Sequence, residues 1–397
     1  MADAKKYDVV IVGGGLSGLS LSCLLGSVKG LKVACIDREP FERHLTNDER
    51  TTAISYGSAQ ILKRASVWDD IVSAGCPIEN IEILDGHSPM LLQFLSEEVQ
   101  GKAFGWILSN THIRKCLMKR IEELENVDHM APAKVDDFEV SDAYVDVMLE
   151  GGEVLRASLV IGADGRGSSV RDFMDVDIRS WNYNQTAVVC YIAHENPHDN
   201  KAVEHFWPEG PFAILPMKPR EGNVNCSSLV FTEHGRKRDS LMKLSDDEFL
   251  EQVRARFPES YGQIEIINNK RMAFPLSLVH AAEYIAPRMV LVADAAHGIH
   301  PIAGQGLNLG FRDLGVLAEL VERAVHENMD VGSSALLQAY QTKRRPDNMA
   351  MVAVTDGLVR LFSNNVPPVK FMRRMGLKTV ARLAPAKRFF MRRAMGE

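Results

Sequence analysis

The chain has 397 residues, 46% of them hydrophobic and 25% charged, with a formal net charge of −6. That length accommodates two domains, or one large domain with an insertion, and the composition is that of a globular protein. No run of about 18 to 20 uninterrupted apolar residues occurs, which argues against a spanning helix. The six cysteines have no metal-ligand spacing and read as reduced core residues of an intracellular protein.

In chain order, "YDVVIVGGGLSGLSLSCLLGS" predicts a strand, a tight glycine turn and a helix. The strand starts almost at once, so no signal peptide is expected. "LKVACIDRE" predicts a second buried strand ending in an acid. Helical patterns are expected through "TTAISYGSAQILKRA" and "THIRKCLMKRIEEL", and "VDVMLEGGEVLRASLVIGADG" reads as a hairpin feeding a return strand. From about 178 to 275, strand-like runs alternate with polar turns, predicting an antiparallel sheet with one helix near "DDEFLEQVRARF". "PRMVLVADAAHG" returns to a buried-strand pattern. "GLNLGFRDLGVLAELVERAVHE" predicts a long helix, and the remainder is helical.

Gly13, Gly15 and Gly18 form G-x-G-x-x-G between the first strand and helix. The first glycine permits the turn, the second lets a diphosphate approach the backbone, and the third allows close helix–strand packing. Asp37, followed by Arg38, closes the second strand where an acid would accept from ribose hydroxyls. This fingerprint alone leaves FAD and a nicotinamide cofactor both open.

Two further loops follow strands. "LVIGADGRGSSVR" places Asp164 after one strand, and "LVADAAHGIHPIAGQGLNLGFRD" places Asp294 after another. The amides of Gly304, Gln305, Gly306, Leu307 and Asn308 stand at a helix start, where they suit partial negative charge. His297 and His300 have H-x-x-H spacing but no third ligand nearby, so no metal site is expected.

These three signatures, in this order, resemble the flavin-dependent aromatic hydroxylases typified by p-hydroxybenzoate hydroxylase. "HPIAGQGLNLGFRD" more narrowly resembles the ubiquinone-biosynthesis hydroxylases of the UbiH type, and the similarity runs through essentially the whole chain, including "GPFAILP". One departure is visible: the third signature usually begins Gly-Asp, and here it reads Ala293-Asp294.

The resemblance implies an α/β fold. A Rossmann-like FAD-binding domain is expected at 1–75, 105–177 and 280–345, and an inserted α+β substrate domain of mostly antiparallel sheet at 76–104 and 178–279. A C-terminal helical region at 346–397 completes it. It implies FAD as cofactor, O2 as co-substrate, and NAD(P)H or a protein donor as reductant, with no nucleic acid as partner. A flavin carbon-4a hydroperoxide would hydroxylate the ring of a polyprenylated phenol in ubiquinone biosynthesis, with other proteins of that pathway as partners. Arg50 and Arg114 would contact the cofactor, and Pro301, Gly304 and Gln305 would flank the flavin ring. No catalytic side chain is assigned. Tyr183, His205, Trp207, Phe212 and Leu215 are candidates to line the substrate pocket. The alternatives are a hydroxylase of a small soluble aromatic and a non-catalytic flavoprotein scaffold.

Nine Lys or Arg and no acid lie between Lys370 and Arg393, interleaved with Phe371, Met372, Met375, Leu377, Val380, Leu383, Phe389 and Phe390. This basic amphipathic segment predicts contact with an anionic membrane surface. The location implied is cytoplasmic and peripheral to the membrane in a bacterium, or the matrix side of the inner mitochondrial membrane in a eukaryote.

Overall fold

A computed structural model describes residues 4–48, 50–86, 92–207, 209–220, 222–234, 240–300, 304–362 and 366–396. The first strand, Lys5–Val12, carries Val9, Val10 and Ile11 with no exposed surface, as a parallel strand covered on both faces requires. Its sheet runs Ile285–Ala286, Met289–Leu291, Val154–Gly162, Lys5–Val12, Val33–Ile36, Val127–Met130. Five of these strands, Met289–Leu291 through Val127–Met130, lie parallel. Val145–Leu149 and Val135–Val140 extend the sheet as an antiparallel hairpin and its neighbour. Helices Leu16–Gly26, Asn110–Glu122 and Gln305–His326 pack on it. The expected hairpin with its return strand, and these three helices, are all present.

One expected helix begins late. Thr51–Ser55 is a strand paired with Gly105–Ser109, which also pairs Cys76–Ile78 in a small three-stranded sheet. The helix starts at Tyr56, where the Ser55 hydroxyl accepts from the Ser58 N–H. β-Branched Thr51, Thr52 and Ile54 favour the pleated backbone, and Ser55 caps the helix Tyr56–Arg64.

The second large sheet is ordered His297–Gly298, Ile264–Ala281, Ile178–His194, Cys226–His234, Gly210–Met217, Lys201–Trp207, Asn80–Asp85, Leu92–Leu95. Among the described residues only Lys201–Trp207 and Asn80–Asp85 lie parallel in it. Its two faces have different partners. On the outer face Val203, Phe212, Ile214 and Phe231 pack with Phe249 and Val253 of helix Asp246–Arg254, which Ser245 and Glu248 start with a reciprocal capping box. On the inner face Tyr191, Ala202 and Leu215 meet Ala53 and Tyr56, together with Met391 and Met395 of the terminal helix Ala384–Met395.

The C-terminal helices Ser334–Phe362, Pro367–Arg382 and Ala384–Met395 close over this inner face. Phe206 stacks on Phe362 with ring centroids 3.6 Å apart. Buried Asp85 accepts from Arg373 at 2.5 Å and from Arg374 at 3.0 Å. All six cysteines are thiols, and no helix among the described residues is long and apolar enough to cross a membrane.

Candidate active site

Five parallel strands end on one edge of the first sheet, and the residues after four of those ends are Gly13, Asp37, Ala163-Asp164 and Val292 to Asp294. Open α/β sheets bind ligands at this edge. Gly13 has φ +112°, and a Cβ there would lie 2.5 Å from the Ala163 carbonyl oxygen, so the first two loops touch through bare backbone. At Gly18 a Cβ would meet the Gly13 oxygen at 1.7 Å. Gly15 differs: nothing among the described residues lies within 4 Å of where its Cβ would stand.

The Gly14 N–H donates to Asp37 Oδ2 at 2.7 Å, and the Glu39 N–H to Oδ1 at 2.8 Å. Burial alone would raise the Asp37 carboxyl, but His44 at 3.3 Å and these two amides outweigh it and hold it below the usual range. Arg38 is exposed and makes no bond to this cluster among the described residues.

Asp164 is used partly by its own loop, its Oδ2 accepting from the Ser169 N–H at 2.7 Å and the Ser169 hydroxyl at 3.0 Å. Its Oδ1 is buried with no partner among the described residues. Arg171 ties this loop to the third one, donating to the Ala295 carbonyl at 3.1 Å and the Arg166 carbonyl at 2.9 Å. Arg166 crosses to the same loop, with Nε 3.3 Å from Asp294 and Nη2 donating to the Ile299 carbonyl.

Arg50 and Arg114 share one anchor, Asp48. Arg50 grips it with Nε at 2.6 Å and Nη2 at 2.9 Å, while Arg114 Nη2 and Asn110 Nδ2 also donate to it. Burial opposes ionisation of Asp48, but Arg50, Asn110 and Arg114 prevail and bring its carboxyl down to about 2. Arg114 is buried, with Nε and Nη1 unpartnered among the described residues.

At the third loop, Gly304 has φ +63° and caps helix Gln305–His326. The N–H groups of Gln305, Gly306 and Leu307 have no acceptor within the helix. Asn308 serves otherwise: its side chain accepts from the Ser55 N–H and donates to the Ala53 and Gly304 carbonyls, stapling the helix start to strand Thr51–Ser55. Pro301 lies outside the described residues. His297 and His300 diverge, His297 to Asp313 and His300 to Gln185, and no group of metal ligands forms among the described residues. Burial, and then Arg166, bring the His300 imidazole down to about 4, so it is neutral.

Ala293, where the resemblance leads one to expect glycine, has φ +52°, a left-handed conformation costly for a residue with a Cβ. Its N–H donates to Asp313 at 3.0 Å, which fixes the turn. The methyl is accommodated because its neighbour is Gly310, where a Cβ would lie 2.8 Å from that of Ala293. Gly310→Ala is expected to cost about 1–3 kcal/mol, read from the urea midpoint. In an Ala293→Gly background the same change should cost less than about 1 kcal/mol, since the two positions couple directly. Equal costs in both backgrounds would show that the contact is not limiting.

Strand alternation sorts the expected pocket residues. His205 and Trp207 share a face with Val203, and His205 pairs with Phe212, which puts all three candidates in or beside the outer core, away from the first sheet. They therefore do not line the site, a correction that one step of register explains. Leu215 and Tyr183 are on the inner side, Tyr183 with its ring 5.0 Å from that of His300. Asp48, Arg166, Asp313 and Glu204 do not stand out in the sequence as site residues. Asp48, two residues before Arg50, Arg166 within the second loop and Asp313 at the end of "HPIAGQGLNLGFRD" carry a local signal, and Glu204 carries none.

The three loops, the open space over Gly15, the orphaned Arg114 nitrogens and the amides at the start of helix Gln305–His326 fit a flavin dinucleotide. The family described as an FAD binding domain matches residues 6–355. The ubiquinone hydroxylase UbiL of Rhodospirillum rubrum is 42% identical over 99% of this chain and 90% of its own length. The 3-demethoxyubiquinol 3-hydroxylase of Escherichia coli is 32% identical over 99% of both chains. Among solved structures, Pseudomonas aeruginosa PqsL in complex with 2-aminobenzoylacetate superposes with a TM-score of 0.80 at 22% identity, covering 96% of this chain and 100% of that one. The fold and site are those of an FAD-dependent monooxygenase. Within that class, the chain belongs to the ubiquinone-biosynthesis hydroxylase family.

Proposed function

We propose that this enzyme hydroxylates the aromatic ring of a polyprenylated phenol, a ubiquinone precursor, using O2 and electrons from NAD(P)H or a protein donor. The observation that carries the reading is the inner face of the second sheet. Ile83, Leu215, Val230, Met272 and Phe274 keep accessible surface there although C-terminal helices and the first sheet's loops close over them. A cleft so apolar suits a prenyl-bearing ring better than a small polar aromatic.

FAD, when bound, supplies the oxygen-activating chemistry. The chain's residues supply its seat: Gly13, Gly15 and Gly18 at the diphosphate, Asp37 at the ribose, and Asp164 and Asp294 toward the ribityl and linker hydroxyls. Arg114 would meet phosphate charge, and the amides of Gly304 to Leu307 the pyrimidine edge of the ring. Arg50, Arg166 and the C-terminal helices would exclude water from the ring's surroundings.

The C-terminal helices also turn an apolar, basic surface outward. Phe371 is 64% exposed and Met372 72%, beside exposed Met375, Phe389, Phe390, Lys378, Arg382, Arg388, Arg392 and Arg393. We infer peripheral docking on anionic lipid, which would deliver a membrane-dissolved substrate. Deleting the segment is a poor test, because Met391 and Met395 are core residues and Arg373 anchors Asp85. Replacing Phe371, Met372, Phe389 and Phe390 by Ser is the cleaner one. Vesicles containing phosphatidylglycerol should retain the parent protein and release the variant, and equal retention would refute docking.

For activity, the purified protein should be yellow, and a prenylated phenol should accelerate its oxidation of NADPH or its reduction by a ferredoxin-type donor. Complementation of strains each lacking one ring-hydroxylation step, with identification of the quinone intermediates, assigns the carbon. Protein that cannot be loaded with FAD, or that complements none of these strains, would overturn the proposal.

A further inference from the structure

Glu204 is an acid in an apolar setting. It lies mid-strand in Lys201–Trp207, between Ala202 and Phe206 on the inner face, and its cross-strand neighbours are Ala213 and Ile83. Ala202 belongs to the cluster holding Leu215, Tyr191, Met391 and Met395; Phe206 belongs to the one holding Tyr183, Val359, Phe362 and Leu377. No hydrogen bond or ion pair engages the Glu204 carboxyl among the described residues. The charged groups on the elements packed here are committed elsewhere: Asp85 to Arg373 and Arg374, and Asp356 to Arg360 and Tyr183.

The side chain nevertheless keeps partial accessibility while protein surrounds it, so it faces the cleft rather than bulk solvent. Small Ala213 opens the face beside it toward Val230 and Val189, which continue the same cross-strand row. Burial pushes its carboxyl up to about 7. An isolated carboxyl in such a place is a standing cost unless a ligand satisfies it.

Resting on the substrate reading above, we propose that Glu204 is a catalytic residue that binds the ring hydroxyl of the phenol and accepts its proton. The ring O–H bond breaks, the proton passes to a Glu204 oxygen, and the electron pair stays on the ring oxygen. That raises electron density at the ring carbons ortho and para to it, where an oxygen electrophile is taken up. The proton leaves to solvent as product departs. A base whose affinity for protons is poised near neutrality suits this transfer. The apolar walls hold the ring while the carboxyl fixes which edge of it is presented.

The test uses the FAD-loaded enzyme with a prenylated phenol and its O-methyl ether, following the flavin spectrum for binding and ultraviolet difference bands for bound phenolate. Wild-type enzyme should bind the phenol about 10-fold or more tightly than the ether, as a hydrogen bond to a charged acceptor implies. Glu204→Leu should abolish that preference while raising the melting temperature, since an unsatisfied carboxyl is removed. Glu204→Gln, which keeps shape and hydrogen bonding, should still bind phenol but lose the phenolate band and roughly 100-fold in turnover. An undiminished preference in Glu204→Leu, or a phenolate band that persists in Glu204→Gln, would overturn the assignment and leave the substrate reading standing. FAD-loaded wild type that binds neither ligand would overturn both.

Discussion

Asp313→Ala is expected to cost about 3–5 kcal/mol of folding stability, enough to leave little native protein at 37 °C. Asp313 has no exposed surface, yet its two oxygens take four donors. Oδ2 accepts from the Ala293 N–H at 3.0 Å and from His297 Nε2 at 2.5 Å. Oδ1 accepts from Arg344 Nε at 2.8 Å and Asn348 Nδ2 at 3.1 Å. One carboxylate thus joins the cofactor-side turn at Ala293, the helix Gln305–His326 and the helix Ser334–Phe362. Its removal strands the buried Arg344 guanidinium with only Asp347 and Asn348, and releases a turn held at positive φ. Burial opposes its charge, but His297 and Arg344 outweigh that and bring the carboxyl down to about 2, against 3.8 unperturbed. A lowered value adds stability that is full above about pH 4 and is lost as the pH falls through about 2. The difference in urea midpoint between wild type and Asp313→Ala should therefore be constant from pH 5 to 7 and shrink toward pH 2, at matched FAD saturation. A midpoint shift worth less than about 1 kcal/mol would show that the network is dispensable.

The sequence displayed the part of this enzyme that depends on backbone and period. Glycines at turns, acids closing strands and a buried first strand are written locally, because each needs one residue type at one place. The inner pocket was not written that way. His205, Trp207 and Phe212 are the large aromatic or imidazole side chains that invite a binding role, and alternation turns all three to the outer core. Glu204, one residue from His205, faces the cleft instead. Which face of a strand meets the cofactor depends on register with Asn80–Asp85 and Gly210–Met217, and no short stretch encodes that. Asp313 closes the "HPIAGQGLNLGFRD" stretch, but its role needed partners 16 to 35 residues away in sequence. Thr51–Ser55 failed for a related reason: its strand character comes from pairing with Gly105–Ser109, half a domain downstream.

Gly15→Ala should separate cofactor binding from folding. Gly15 has φ −71°, ordinary for alanine, and its new methyl would meet nothing among the described residues. The urea midpoint of the FAD-free protein should move by no more than about 1 kcal/mol, because Gly15 is the N-cap of helix Leu16–Gly26 and alanine caps less well than glycine. FAD affinity should nevertheless fall roughly 10- to 100-fold, because the methyl occupies the space through which a diphosphate reaches the helix start. Gly13→Ala is the contrasting control. There φ is +112°, and the methyl would lie 2.5 to 2.7 Å from backbone atoms of Ala163 and Asp164, which cannot rotate away. It should lower the stability of the FAD-free protein as well as its affinity, by forcing apart two loops that parallel strands Lys5–Val12 and Val154–Gly162 hold in register. FAD titration by fluorescence quenching, beside urea melts without FAD, distinguishes the two outcomes. Undiminished FAD affinity in Gly15→Ala would mean that the diphosphate does not pass over Gly15. The open space there would then have another occupant, and the placement of the dinucleotide along this strand edge would have to be redrawn from Asp37 and Arg114 alone.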